Sequence, residues 1–592
     1  MEAEVSGKDR VLVTTALKET FPKSTSEKIL FLGEWCKIYR ERDFYNRFDH
    51  EVLPYHWDDR KKLYQDFQNI DKIYERVLAT LAAELNRIHN ESYSVRYWRI
   101  IIGPWLRYFI EIFYDRYLSV KQALDAGFCK TYSLEIENST PFDMRDFTFK
   151  FCSDEWNHHI YNEILSYFGA PIEIVGALEL KNETYNDSSK SLKRMIADKL
   201  FFVNKFNTVH FFSSYLRRIE LNSIQLKLKQ IPTLGVGLQY VNTEFKQAYN
   251  KDMRKSLKLK AETELEKILF SVLCKQVPIV YMEEYKLIRK SALQAYPSRS
   301  KLILTANSYG SDDVFKIWAA EMVENGSKYV ISQHGGHYGT GLFASHEDHQ
   351  LKSTDKFFSW GWKWDDRVLP TTAGKLQNKI NQDKNKENGH ILLILSISPR
   401  FSYHLMSRNI AKQELDYIGM QIDFLKALPF EIREKVKIRL HPTDFGWCFR
   451  ERIEDAGFWE NIDLSGDSYG EAISKSKLVI VACNSTTHLE TFTSDIPTLL
   501  YWDPNHWELR KEAYPYYKSL QQSGVLHYDH KSLCSELSEI YHSPEKWWSS
   551  DDVKVAVSKF CKVFANKEGD VVESYCENIK KVINEGTPNV KK

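Results

Sequence analysis

Several polar groups in the second half of the chain stand directly after apolar, strand-like runs. Ser396 and Ser398 end HILLILSIS (390–398) and Arg400 stands just after it, and His441-Pro442 follow VKIRL (436–440). Asn484-Ser485-Thr486-Thr487 follow KLVIVAC (477–483), with Glu490 four residues beyond Thr486. An arginine suits a phosphate or carboxylate by paired donation. A histidine at a strand end can donate to a phosphate while the proline fixes the exit of the chain. Hydroxyl residues opening a helix can cap it and, at the same place, help hold an anion. Each pattern alone also fits a plain cap or turn. Three of them beyond one predicted sheet point to a single crevice. A further group, Ser332-Gln333-His334-Gly335-Gly336-His337, follows KYVIS. Its glycines permit close backbone approach to a ligand, and His334 could carry a proton.

Carboxylates matter for the same chemistry, as a base or a nucleophile. Glu34 follows KILFLG (28–33), and Glu283-Glu284 follow PIVYM (278–282), read here as a strand. Position lifts Glu34 and Glu283 above Asp58-Asp59, Asp312-Asp313 and Asp365-Asp366, which read as helix caps and turns. With His334 they form the catalytic candidates. A rival reading pairs His334 with His337 and His346 with His349, around Glu347 and Asp348, as a divalent metal site. The glycine run and the lack of an H-E-x-x-H motif argue against it, so no metal and no cofactor are expected. There is no P-loop, intact G-x-G-x-x-G or G-x-S-x-G, which removes three common enzyme classes.

The elements that must position these residues alternate. Apolar positions from Leu63 to Ile88 recur every three or four residues and predict a helix over 61–90. Another helix is expected over 102–124, with helical patterns through much of 140–270. Strand-like runs at 278–282, 301–307, 328–335 and 355–361 then alternate with helices, as do those at 390–398, 436–442, 477–483 and 496–502. Such alternation implies parallel βαβ units. The expected fold is α/β and GT-B-like: two Rossmann-like domains with a helix-rich N-terminal insertion. The domains run over 1–370, with the insertion at about 61–270, and over 390–560. A polar linker (371–389) joins them, and a helical tail (561–592) follows.

Composition narrows the function. Among 592 residues, 81 Lys+Arg face 80 Asp+Glu, a net charge of +1. So balanced a chain has no general basic field, and nucleic acid is not an expected partner. Nine cysteines without a C-x-x-C suggest neither a disulfide framework nor a zinc ribbon. The acidic N-terminus has no signal-peptide pattern, and Arg99, Arg107 and Glu111 interrupt the most apolar stretch, Tyr97 to Tyr114. The expected location is the cytoplasm, a setting that leaves peripheral docking at the inner membrane face open.

The segments KIRLHP (437–442) and VIVACNSTTHLETFTSDIPTLLYWDP (479–504) resemble the C-terminal domain of bacterial capsule and surface-polysaccharide glycosyltransferases. The His-Pro pair is similar to the motif with which enzymes using CMP-linked acidic sugars hold the nucleotide. FLGEWC (31–36), YHWDDR (55–60) and RYWRIIIGPWL (96–106) are similar to a group of surface-carbohydrate transferases. The resemblance implies a nucleotide-sugar donor and a glycan or lipid-linked acceptor. It implies donor-phosphate contacts from His441, Ser485 and Thr486, and a ribose contact from Glu490. Ser398, Arg400, Pro442 and Asn484 complete the candidate donor-binding set, with Gln333, Gly335 and Gly336 as cleft backbone. A CDP-polyol phosphotransferase and a non-catalytic glycan-binding protein are the alternatives.

Overall fold

A computed structural model describes residues 9–181, 205–233, 249–383 and 389–585. Parts of the expected insertion, linker and tail (182–204, 234–248, 384–388 and 586–592) lie outside the described residues. The fold is α/β with parallel sheets. The chain forms two compact units: residues 1–213, 233–329 and 399–405 in the first, and 214–232, 330–398 and 406–592 in the second. These boundaries differ from a single division at 371–389: the main crossover falls at 329/330, which puts 330–370 with the second unit, and the short segments 214–232 and 399–405 belong to the opposite unit from the chain around them.

In the first unit, β1 (Arg10–Val13), β2 (Lys28–Phe31), β3 (His50–Val52), β4 (Lys130–Glu137) and β5 (Ile172–Glu179) make a parallel sheet in the order β3-β2-β1-β4-β5. Its helices Arg60–His89 and Val95–Ala126 fulfil the periodicity argument. Leu63, Phe67, Ile70, Ile73, Val77, Leu81 and Leu85 are all buried. Asp59 caps the first helix by accepting from Lys61 and Lys62, and Asn90 ends it at φ 58°. Ser94 caps the second.

The stretch 61–270, expected to be helical, also contains β4, β5 and β6 (Val209–Phe212), which pairs in parallel with β7 (Leu302–Thr305). PIVYM is a 3₁₀ turn over Ile279–Tyr281 rather than a strand. The amides of Ile279 and Val280 bond the carbonyls of Pro141 and Phe142, and the turn then closes on itself through Tyr281 N–H to Pro278. The run is apolar because it is buried, and burial carries no strand periodicity of its own.

The chain enters the second unit within β8 (Lys328–Ser332), which pairs in parallel with β9 (Lys356–Ser359); β10 (Val368–Pro370) follows on β9. A second sheet contains β11 (Ile391–Ile394), β12 (Val436–Arg439), β13 (Leu478–Val481), β14 (Thr498–Tyr501) and β15 (Leu526–His527), all parallel, in the order β12-β11-β13-β14-β15. Strands β11, β13 and β14 are buried along their whole length, as strands covered on both faces must be. Leu393, Ile438, Ile480 and Leu499 pack with Phe424, Leu425, Leu533 and Leu537 from the covering helices.

In this order, numbered 2-1-3-4-5, the winding reverses between the first and third strands. The switch point therefore lies between β11 and β13. Loops leaving their C-terminal ends diverge there and open a crevice, which is where doubly wound sheets bind ligands. Those two loops carry Ser396–Ser398 and Asn484–Thr486. Among the described residues, no helix is long and apolar enough to cross a membrane.

Candidate functional site

The centre of the site is the meeting of two loops in the second unit. After β13, Ser485 takes the N-cap position of the helix Thr486–Thr493, with extended backbone, but its side chain makes no capping hydrogen bond. The hydroxyl instead lies 3.1 Å from the Cys483 thiol. Ser485 is thus not a plain cap, and the N–H groups of the first turn are not served by it. After β8, Gln333 is buried, and its side chain staples the glycine loop. Its Oε1 accepts from Trp360 N–H and Trp362 Nε1, each at 2.9 Å, and its Nε2 donates to the Gly335 carbonyl at 2.9 Å.

Gly336 N–H then donates to Thr486 Oγ1 at 2.9 Å. A Cβ on Gly336 would lie 2.3 Å from the Ser485 carbonyl carbon and oxygen, and one on Gly335 would lie 3.1 Å from Thr486 Oγ1. The glycines do permit close approach, as their type predicts, but what they approach is the helix start and not directly a ligand. Asn484 is likewise spoken for. Its amide donates to Thr340 Oγ1 (3.1 Å) and accepts from Tyr517 OH (2.8 Å), so it positions the loop.

His334 is half-buried beside this junction. Its ring faces Tyr215 at 6.0 Å and 16°, and Nδ1 lies 3.4 Å from Tyr338 OH. Lys375 donates to the His334 carbonyl at 3.2 Å, and its ammonium sits 5.3 Å from the Tyr215 ring centre. Glu490, one turn into the helix, accepts from Tyr469 OH at 2.9 Å. Burial raises its carboxyl above the ordinary range, while Tyr469 and Lys375 pull it down. Lys375, Tyr215 and Tyr469 escaped the sequence reading. Lys375 opens a polar stretch that reads as linker, and no spacing rule ties it to His334.

His441 and Pro442 are exposed just past β12, on the edge of the sheet where β11 and β13 also end. His441 Nδ1 is engaged locally by the Thr443 amide at 3.1 Å. Ser398 is buried past β11, and its carbonyl accepts from Trp447 Nε1 at 3.0 Å. A carboxylate missed in the sequence lies near it: Glu414 is wholly buried, 3.8 Å from the Arg408 guanidinium. Burial pushes its carboxyl up to about 8, against the pull of Arg408 and Ser398.

Arg400, Glu34 and Glu283 belong to the first unit. Arg400 is buried, and its guanidinium is taken by the Asp154 carboxylate and the Trp35 carbonyl. That arrangement ties the segment 399–405 into the first unit, with Phe401 against Trp35. It makes Arg400 a structural anchor rather than a donor contact. Glu283 is buried too. It holds Arg254 through both oxygens, at 2.7 and 2.8 Å, and accepts from the Asn250 amide at 3.0 Å. A carboxylate locked in this way keeps a chain segment in place and is not available as a nucleophile. Glu34 is half-buried on the 3₁₀ turn after β2, 3.5 Å from Lys37.

Of the histidines in the rival reading, His337 is turned inward at φ 71° and its Nε2 lies 3.0 Å from the Ser407 carbonyl. Among the described residues, no cluster of three or more His, Cys, Asp or Glu is arranged to hold a metal ion.

The second unit is therefore a doubly wound α/β domain whose switch-point edge gathers a glycine loop, a helix start and a lysine. Residues 10–579 match the profile of the LIC12162 family of transferases, and the chain belongs to that family. The chain matches no curated protein. Among solved structures it is similar to the wall teichoic acid polymerase TagF, at 12% identity and a TM-score of 0.29 over 66% of this chain and 93% of that one. It is also similar to WaaG, a glycosyltransferase involved in lipopolysaccharide biosynthesis, at 11% identity and a TM-score of 0.28 over 51% and 96%.

Proposed function

We propose that this transferase is a GT-B-like glycosyltransferase of bacterial surface-polysaccharide biosynthesis. In this reading it moves a sugar from a nucleotide-linked donor, a CMP-linked acidic sugar, onto a glycan or lipid-linked acceptor. The observation that carries the reading is the start of the helix Thr486–Thr493 at the switch-point edge, left without a cap by Ser485 and flanked by Lys375. The first-turn N–H groups and the lysine supply fixed positive potential for a donor phosphate, which becomes more charged as the glycosidic bond breaks. His441, exposed on the same sheet edge, is a further phosphate contact in this reading. His334, flanked by Tyr215 and Tyr338, is the proton carrier in this reading. The positive charge comes from the chain's own groups, so the reaction needs no metal cofactor here. The work takes place in the cytoplasm, with docking at the inner membrane face where the acceptor is lipid-linked.

The test is a thermal-shift comparison of CMP, CDP, UDP and GDP on the full chain, followed by CMP release from CMP-linked sugars in EDTA. Stabilisation by CMP that Lys375→Ala weakens at least tenfold in affinity, and turnover that survives EDTA, are the expected results. No shift with any nucleotide would refute the reading. A phosphodiester in the product would replace it with polyol-phosphate transfer.

A further inference from the structure

A cavity of about 270 Å³ opens in the second unit beyond the C-terminal ends of β14 and β15, and it shares no residue with the helix start and glycine loop. It brings together two kinds of side chain. Trp507 and Tyr528 offer aromatic surface, and Asp416, Asp503 and Asp529 offer carboxylates. Asn409 also lines it. That residue is fully buried, and neither the oxygen nor the nitrogen of its amide has a hydrogen-bond partner in the chain. An amide stripped of water with both ends unmatched is costly to bury. The cost is avoided when a ligand brings a donor and an acceptor together into the space.

Adjacent hydroxyl groups on a ring do this, since each hydroxyl both donates and accepts. The carboxylates accept further hydroxyl or ammonium protons, and the aromatic faces cover the C–H side of a ring. The three carboxylates Asp416, Asp503 and Asp529 make the local field negative, which repels phosphates and acidic sugars. We propose that this cavity binds one neutral or amine-bearing sugar ring of a glycan, separately from any nucleotide.

The experiment is saturation-transfer NMR on the full chain with methyl α-glucoside and methyl α-glucosaminide, with N-acetylneuraminic acid as the anionic control. Both methyl glycosides are expected to receive saturation, the anion is not, and excess CMP is expected to leave the signals in place. Asn409→Ala should weaken glycoside binding at least tenfold. Because that variant loses a buried side chain, the exposed-side pair Asp416→Asn with Asp503→Asn provides a second reading. It should give a similar loss while the melting curve stays where it was. The proposal is overturned if the glycosides receive no saturation, which would leave Asn409 to water alone. It is also overturned if both variants bind as the parent does, if the acid binds equally well, or if CMP displaces the glycosides. A chain that binds glycosides but gives no thermal shift with CMP would count against the nucleotide reading and leave this one standing.

Discussion

Replacing Glu414 by Gln gives the sharpest test of the structure's electrostatics. The carboxyl is wholly buried, and although Arg408, 3.8 Å away, pulls the other way, its proton leaves only at about 8, against an ordinary value of 4.5. A folded value above the unfolded one means the native chain keeps a proton that the unfolded chain has released. The stabilising share of this carboxyl is complete below pH 4.5 and is lost as the pH climbs through 8. At pH 7 the unfolded chain is favoured across about 2.5 pH units of that window, at about 1.36 kcal/mol each, so the native state is weakened by about 3 kcal/mol. Gln has the same shape and no proton to lose. Urea unfolding followed by tryptophan fluorescence should show parent and Glu414→Gln within about 1 kcal/mol at pH 5 and separated by about 3 kcal/mol at pH 7, with the variant more stable. Other buried carboxyls, such as Asp312, titrate in both proteins and cancel in the difference. A gap that does not change with pH would refute the reasoning, whatever its size.

Gly336→Ala forces a methyl group to within 2.3 Å of the Ser485 carbonyl, so the two loops must separate. CMP stabilisation should vanish and the melting point should fall by an amount equivalent to about 1–3 kcal/mol, read by calorimetry. Glu283→Ala leaves Arg254 buried without its partner and should cost about 3–5 kcal/mol in urea unfolding, whereas a reactive-site role would instead remove activity from a stable protein. His441→Ala, at an exposed position, should leave the melting curve unchanged and lower CMP release from a CMP-linked sugar at least tenfold. Unchanged release would remove His441 from the phosphate contacts.

The strands legible in the sequence are those buried on both faces. KLILT, KYVIS, ILLI and LVIV read as continuous apolar runs because parallel sheets are covered by helices above and below. Strand β5 escaped because it lies at the sheet edge with most positions half-buried or exposed, and β4 because its buried first half, Thr131 to Ser133, is largely polar and its second half alternates with exposed glutamates. PIVYM failed in the opposite way, since its apolar character reflects burial of a turn. The site was half legible. Gly335, Gly336, Ser485 and Thr486 do meet, although their loops leave strands of two different sheets, β8 and β13, a meeting that strand-end position alone does not predict. Arg400 and Glu283 looked equally suitable by type and position. Only the fold reveals that Asp154 holds the first and Arg254 the second. Glu414 sits among ordinary helix residues, and its chemistry comes entirely from what packs around it.

The junction between the glycine loop and the helix start also limits how the site can work. Gln333 spends all its hydrogen-bonding groups on its own loop and on two tryptophans, and Gly336 spends its N–H on Thr486. The hydroxyl of Thr486 is therefore already an acceptor, and the room for a side chain at 335 and 336 is gone. Discrimination among ligands cannot come from that loop adapting, because moving it breaks a chain of bonds that reaches Trp360 and Trp362. Under the proposed function it comes from the polar groups at the rim: Lys375, His334 and the Tyr469–Glu490 pair. In that reading a rigid floor with a polar rim holds the feature common to all its ligands at the floor, which for a helix start is an anion. The part that varies between ligands is read at the rim.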